Sequence, residues 1–181
     1  MAVSKHIVLT LVFMSLLSSI ELTVVLGETN ITYTLLPLGQ NQTGPEAIAF
    51  DCEGHGPYVG ISDGRILKWQ GPHIGWTTFA VTAPNRSDSC NGVVNNASME
   101  KDCGRPLGLR FNMGTCELYI ADSSFGLMKV GFEGGVASSL ATIAEGIPFV
   151  FLNGLDVDFV NQAVYFTETS TNYHRWYDYK E

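Results

Sequence analysis

Short runs of alternating apolar and polar residues, divided by turn-forming clusters, recur along this chain from residue 44 onward. Three stretches carry the same plan: GPEAIAFDCEGHGPYVGISDGRILKW (44–69), GRPLGLRFNMGTCELYIADSSFGLMKV (104–130) and NGLDVDFVNQAVYFTETSTNYHRW (153–176). Each opens at a Gly or Pro, alternates, turns, and runs again with Tyr58, Tyr119 and Tyr165 in matching places. Alternation bounded by turn residues predicts β-strands paired as antiparallel hairpins. The tyrosines are 61 and 46 residues apart, and a period of roughly 40–60 residues indicates propeller blades around a central axis. The excess in the first interval falls in the polar segment 82–103, read as a loop insertion. Residues 72–82 read as the outer strand of the first unit, 136–144 as a further strand, and 31–38 (ITYTLLPL) as another. Trp69, Phe79, Phe125, Phe132 and Phe166 are expected between blades. No useful helical period follows residue 27, so the expected class is all-β, about three blades of a propeller.

Residues 1–27 read differently. Lys5 and His6 precede the apolar run 7–20, which is short for a bilayer, and VLG (25–27) offers a cleavage site. A secretory signal peptide is expected, with a mature domain over 28–181 and no stable membrane span after cleavage. That route gives meaning to four N-x-S/T sequons, at Asn30, Asn41, Asn85 and Asn96, as glycosylation sites. It also lets cysteines pair. Cys52, Cys90, Cys103 and Cys116 allow three connectivities. A Cys90–Cys103 bridge would staple the insertion; Cys52 and Cys116 could pair or stay free. Zinc is not expected, since no paired His or C-x-x-C accompanies them. The net charge is −8 with no cluster of Lys and Arg, which argues against nucleic acid as a partner.

GRPLGLRF, LYIADSSFGLMKV and VYFTETSTNY, in that order, resemble plant strictosidine synthases and their strictosidine synthase-like relatives, from about residue 30 to the end. The resemblance implies a six-bladed β-propeller, a secreted or vacuolar glycoprotein, and a bridge corresponding to Cys90–Cys103. Strictosidine synthase condenses tryptamine with secologanin, and the resemblance places the catalytic glutamate beyond Glu181, so no catalytic residue is assigned here. The chain alone is therefore expected neither to close nor to catalyse.

The pocket wall implied by the resemblance falls on Leu107, Phe151, Asn153 and Thr169. Of three positions where the true synthase carries aromatics, Phe151 keeps a ring, while Leu107 and Asn153 remove stacking surface for an indole. The reading therefore leans towards a hydrolase acting on a small molecule, as in the related paraoxonase-like and gluconolactonase-like propellers, over alkaloid synthesis or mere binding. Those relatives hold Ca²⁺ with oxygen ligands. Glu46 and Asn153 match two such positions, but Leu107 replaces a third, leaving the set incomplete. Asp122, Asp156 and Asp158 read as turn residues.

Overall fold

The chain is described by a computed structural model over residues 33–92 and 97–176. Residues 37–181 belong to one compact unit, and residues 33–36 before it carry neither strand nor helix.

The first sheet follows the first sequence unit: β1 (Ile48–Ala49), β2 (Tyr58–Gly60), β3 (Arg65–Trp69) and β4 (Trp76–Val81), paired antiparallel in chain order. The second holds β5 (Pro106–Phe111), β6 (Leu118–Asp122) and β7 (Gly126–Val130). Its fourth strand is β9 (Ser138–Ala141), reached after β8 (Gly135–Val136). A small hairpin, β10 (Ile143–Ala144) with β11 (Ile147–Pro148), leads to the pair β12 (Leu152–Asp158) and β13 (Ala163–Glu168). The architecture is all-β, three open sheets of a partial propeller, with short helical turns at Asp88–Cys90, Ala97–Met99 and Glu100–Cys103 among the described residues.

Each unit turns on the same device. Asp51, Asn112 and Asp158 stand after the first strand of their units, and one side-chain oxygen of each accepts two backbone N–H groups from the turn. This is the Asx-turn chemistry that makes Asp and Asn good turn residues. Before the third strands of the first two units, Asp122 does the same, and Asp63 accepts the Arg65 backbone N–H. Cys52 and Cys116 sit in equivalent turns and are bonded to each other, Cα atoms 5.4 Å apart. A bridge across 64 residues restricts the unfolded chain by about 4 kcal/mol.

The sheets stack face to face. Tyr58, Ile66 and Ala80 meet Leu109, Phe111, Ile120 and Met128 between the first and second. The Tyr58 ring stands edge-on to Phe79 and Phe111 at 4.9 and 4.8 Å. Ala121, Leu127 and Leu152 pack with Phe149, Leu155, Val164 and Phe166 between the second and third. Each large apolar side chain so buried contributes roughly 1.5–3 kcal/mol.

The structure corrects three expectations. Residues 33–38 form no strand; instead Leu38 packs as a single plug against Val59, Ile61 and Leu67 on the far side of the first sheet. Segment 136–144 is not one strand but parts of three. Its first part, β8, runs parallel to β4 at the edge of the first sheet, a pairing that a hairpin reading does not anticipate. Phe132 lies in the turn 131–134 and is 40% exposed rather than packed between blades.

Tyr58 also carries a polar task. Its hydroxyl donates to Asp51 Oδ2 at 2.8 Å within the core. Burial pushes the Asp51 carboxyl up, but the Tyr58 hydroxyl, the His55 and Glu53 amides and Lys68 outweigh it and hold the group below its ordinary value of 3.8. A lowered carboxyl adds stability above that ordinary value, and the gain disappears as pH falls through the folded one. Tyr58→Phe is expected to cost about 1.5–3 kcal/mol at neutral pH, with the gap narrowing below pH 3.8. Paired thermal melts across that range check it; a gap independent of pH would remove Asp51 from the account.

Candidate functional site

The first strand of each sheet lies against its counterpart in the next: β1 beside β5, and β5 beside β12. All three point the same way. Glu46, ahead of β1, faces Arg105, ahead of β5, at 3.9 Å. Further along, Ile48 and Phe50 share a groove of about 430 Å³ with Leu109, Phe111 and Met113. Between β5 and β12 the approach is closer still. A Cβ on Gly108 would come 2.5 Å from the Asn153 carbonyl oxygen, so only glycine lets these strands touch. Arg110 then pairs with Asp156 at 2.9 Å further along. These first strands stand side by side as one wall, and their leading ends form its mouth.

Four of the pocket positions gather at that mouth. Asn153 Nδ2 donates to Thr169 Oγ1 at 3.0 Å across the β12–β13 pair. The Thr169 amide donates to the Phe151 carbonyl at 2.9 Å, and the Glu168 carboxylate accepts from the Val150 and Phe151 amides. Leu107 lies buried on β5, beside the Gly108 contact with β12. Glu46 stands apart from these four, paired with Arg105.

A second set of charges lies behind the mouth, and sequence reasoning did not single it out. Glu100, on the helical turn of the insertion, receives Arg175 Nη1 at 2.7 Å and lies 3.9 Å from Arg105 Nε. Burial pushes the Glu100 carboxyl up, while Arg175 and Arg105 oppose it. The Arg105 guanidinium, also buried, donates to the Gly44 carbonyl at 2.7 Å. Its backbone N–H donates to the fully buried Asp122. Cys90 and Cys103 are bonded, Cα atoms 5.5 Å apart. Closing a loop of that length is worth about 3 kcal/mol, and it fixes the turn carrying Glu100.

The calcium set does not form. Leu107 offers no oxygen, and Glu46 shares its carboxylate with a buried guanidinium that already supplies a positive charge. Among the described residues no three of His, Cys, Asp and Glu cluster as metal ligands. A hard divalent cation needs six or more oxygens, so these residues do not fit it.

Residues 32–69 match the sequence model described as "Strictosidine synthase-like, N-terminal". The chain is 53% identical over 133 residues to Protein STRICTOSIDINE SYNTHASE-LIKE 10 of Arabidopsis thaliana, covering 74% of this chain and 35% of that protein. It is 50% identical over 135 residues to STRICTOSIDINE SYNTHASE-LIKE 3 of the same plant, covering 73% and 34%. The chain belongs to the strictosidine synthase-like family. A third member, STRICTOSIDINE SYNTHASE-LIKE 12, is 39% identical over 160 residues, 88% of this chain and 47% of its own length. The chain thus spans about a third to a half of the strictosidine synthase-like proteins that it matches.

Of the sequon positions, Asn41 and Asn85 are exposed in loops. Asn30 and Asn96 lie outside the described residues, as does the segment 1–27 read as a signal peptide. Among the described residues no helix is long and apolar enough to cross a membrane.

Proposed function

We propose that the full-length protein is a secreted or vacuolar strictosidine synthase-like glycoprotein whose axial channel takes a small oxygen-bearing substrate and hydrolyses it, rather than condensing an indole amine with an aldehyde. The observation that carries this reading is the Asn153–Thr169 hydrogen bond at the mouth. It leaves an amide and a hydroxyl, beside the buried Leu107, where stacking on an indole would need rings. An amide and a hydroxyl suit the carbonyl and ring oxygens of a lactone or ester, whereas a flat aromatic amine would leave them unpaired.

The secretory half of the reading rests on the two disulfides, which belong to oxidising compartments, and on exposed Asn41 and Asn85. No residue from 33 to 176 is assigned the chemical step, so none is offered here as nucleophile or base.

Assaying the full-length glycoprotein against lactones and aryl esters, and separately against tryptamine plus secologanin, decides between the readings. Ester or lactone turnover is expected, together with a mass loss on endoglycosidase treatment. Turnover confined to tryptamine plus secologanin would overturn the proposal. Saturable binding of esters without turnover would favour a non-catalytic binding propeller, which the unreactive Leu107 and Phe151 lining also suits.

A further inference from the structure

Four charges of alternating sign run behind the channel mouth: Glu46, Arg105, Glu100 and Arg175. They come from three separate pieces of chain, Glu100 and Arg105 sharing one, and these middle two are buried, with side chains only 3–5% exposed. Buried charges are costly and are retained only when paired, so this arrangement is held for a geometric result. Glu100 sits where the Cys90–Cys103 bridge fixes the insertion. Arg86 anchors the same insertion to the first sheet through the Asp63 carbonyl and carboxylate.

Arg175 lies beyond β13, in a segment that folds back on the rim of the mouth. The Ser170 hydroxyl accepts the Asn172 and Tyr173 amides, and His174 Nδ1 is 2.9 Å from the Val150 carbonyl. The His174 ring stacks on Trp176 at 4.2 Å. These contacts are exposed, and the longest of them in sequence, His174 on Val150, spans 24 residues. Arg175 on Glu100 reaches much further, joining this rim to the buried insertion across 75 residues.

We propose that Glu100 is a positioning residue, the fixed half of a clasp that holds the rim segment 170–176 in place, and that the order of this rim depends on the Cys90–Cys103 bridge. The clasp acts through Arg175 and requires no particular reaction. Thr169, which opens the segment and bonds Asn153, takes its setting from the same anchor. A disulfide in the insertion thereby controls the geometry of a wall built from the third sequence unit.

Hydrogen exchange on the full-length protein tests this without any substrate. Arg175→Gln is expected to raise exchange at 170–176 about tenfold or more while the amides of β6 and β7 stay protected. Arg175→Lys, which keeps the charge, is expected to restore most of the protection. Cys90→Ser with Cys103→Ser is expected to reproduce the Gln pattern at 170–176. Glu100→Gln should do the same; because it strands a buried guanidinium it could unfold the protein, and the Arg175 variants then carry the decision. Rim protection unchanged in Arg175→Gln, or lost equally in Arg175→Lys, would overturn the clasp. Rim protection that survives loss of the bridge would overturn its dependence on the disulfide. None of these outcomes depends on ester hydrolysis, so failure of the catalytic proposal is separately visible.

Discussion

Gly64→Ala is expected to leave no stably folded protein. Gly64 follows Asp63 in the turn before β3 and holds φ at +81°, a conformation that L side chains adopt at about 1–2 kcal/mol. The steric problem is larger. A Cβ there would occupy the place of the Cys103 carbonyl oxygen, which belongs to backbone and is tied by the Cys90–Cys103 bridge. The Gly64 carbonyl also accepts from the Thr82 amide, so the turn cannot swing away without releasing a bond at 3.1 Å. Neither side can yield, and a loss above about 4 kcal/mol places a domain of ordinary stability near unfolding. Soluble yield and circular dichroism are the measurements. A Gly64→Ala protein melting within a few degrees of its parent would show that the insertion does not rest on this turn as described.

The second large effect is expected at Asp122. Its carboxylate is completely buried and accepts the backbone N–H groups of Arg105, Ser124 and Phe125 at 2.9, 2.8 and 3.1 Å. Asp122→Ala strands the buried Arg105 amide and two part-buried amides, at about 1–3 kcal/mol for the buried donor and less for the others, so a loss of ~3 kcal/mol is expected. Asp122→Asn keeps the volume and one acceptor but turns an amide towards a donor, so it should fall between Ala and the parent. Denaturant melts give both values. Equal stability of Asn and Ala, or a loss below ~1 kcal/mol for Ala, would mean that water or a backbone shift replaces the carboxylate.

The two residues differ in how far sequence alone exposes their role. Asp63-Gly64 is a strong local turn signal, and the alternating runs around β5, β6, β12 and β13 announce strands because side-chain direction in a strand follows from chain position alone. The polar turn after the first run of each unit is legible, but the structure alone shows that oxygens of Asp51, Asn112 and Asp158 close those turns. What a neighbour in space decides was not visible. ITYTLLPL alternates like a strand, yet residues 33–38 have no partner edge and Leu38 is used singly as a plug. β8 is too short to show a period, and its place against β4 depends on the turn 131–134 bringing it back.

The candidate site divides the same way. Asn153 and Thr169 are close in the pattern because β12 and β13 are consecutive strands, and the structure joins them directly. Glu46 was marked as a possible ligand, but nothing local to it reveals the Arg105 guanidinium across the mouth. Glu100 reads as one acidic residue in a polar insertion. Its partners are 5 and 75 residues away, and only the fold shows that burial and two arginines meet there.

The stretch Gly135–Ala141 has a consequence for how the molecule comes apart. Within seven residues the chain completes the edge of the first sheet through β8 and the edge of the second through β9. Ala137 between them is buried in the shared core and donates its amide to the Val81 carbonyl. A segment that belongs to two sheets cannot leave one without loosening the other, so the first two blades unfold as a single cooperative block. The third blade is joined to that block by packing, by the Arg110–Asp156 pair and by the proposed rim clasp rather than by a shared strand, which makes it the natural place for partial opening under load or heat.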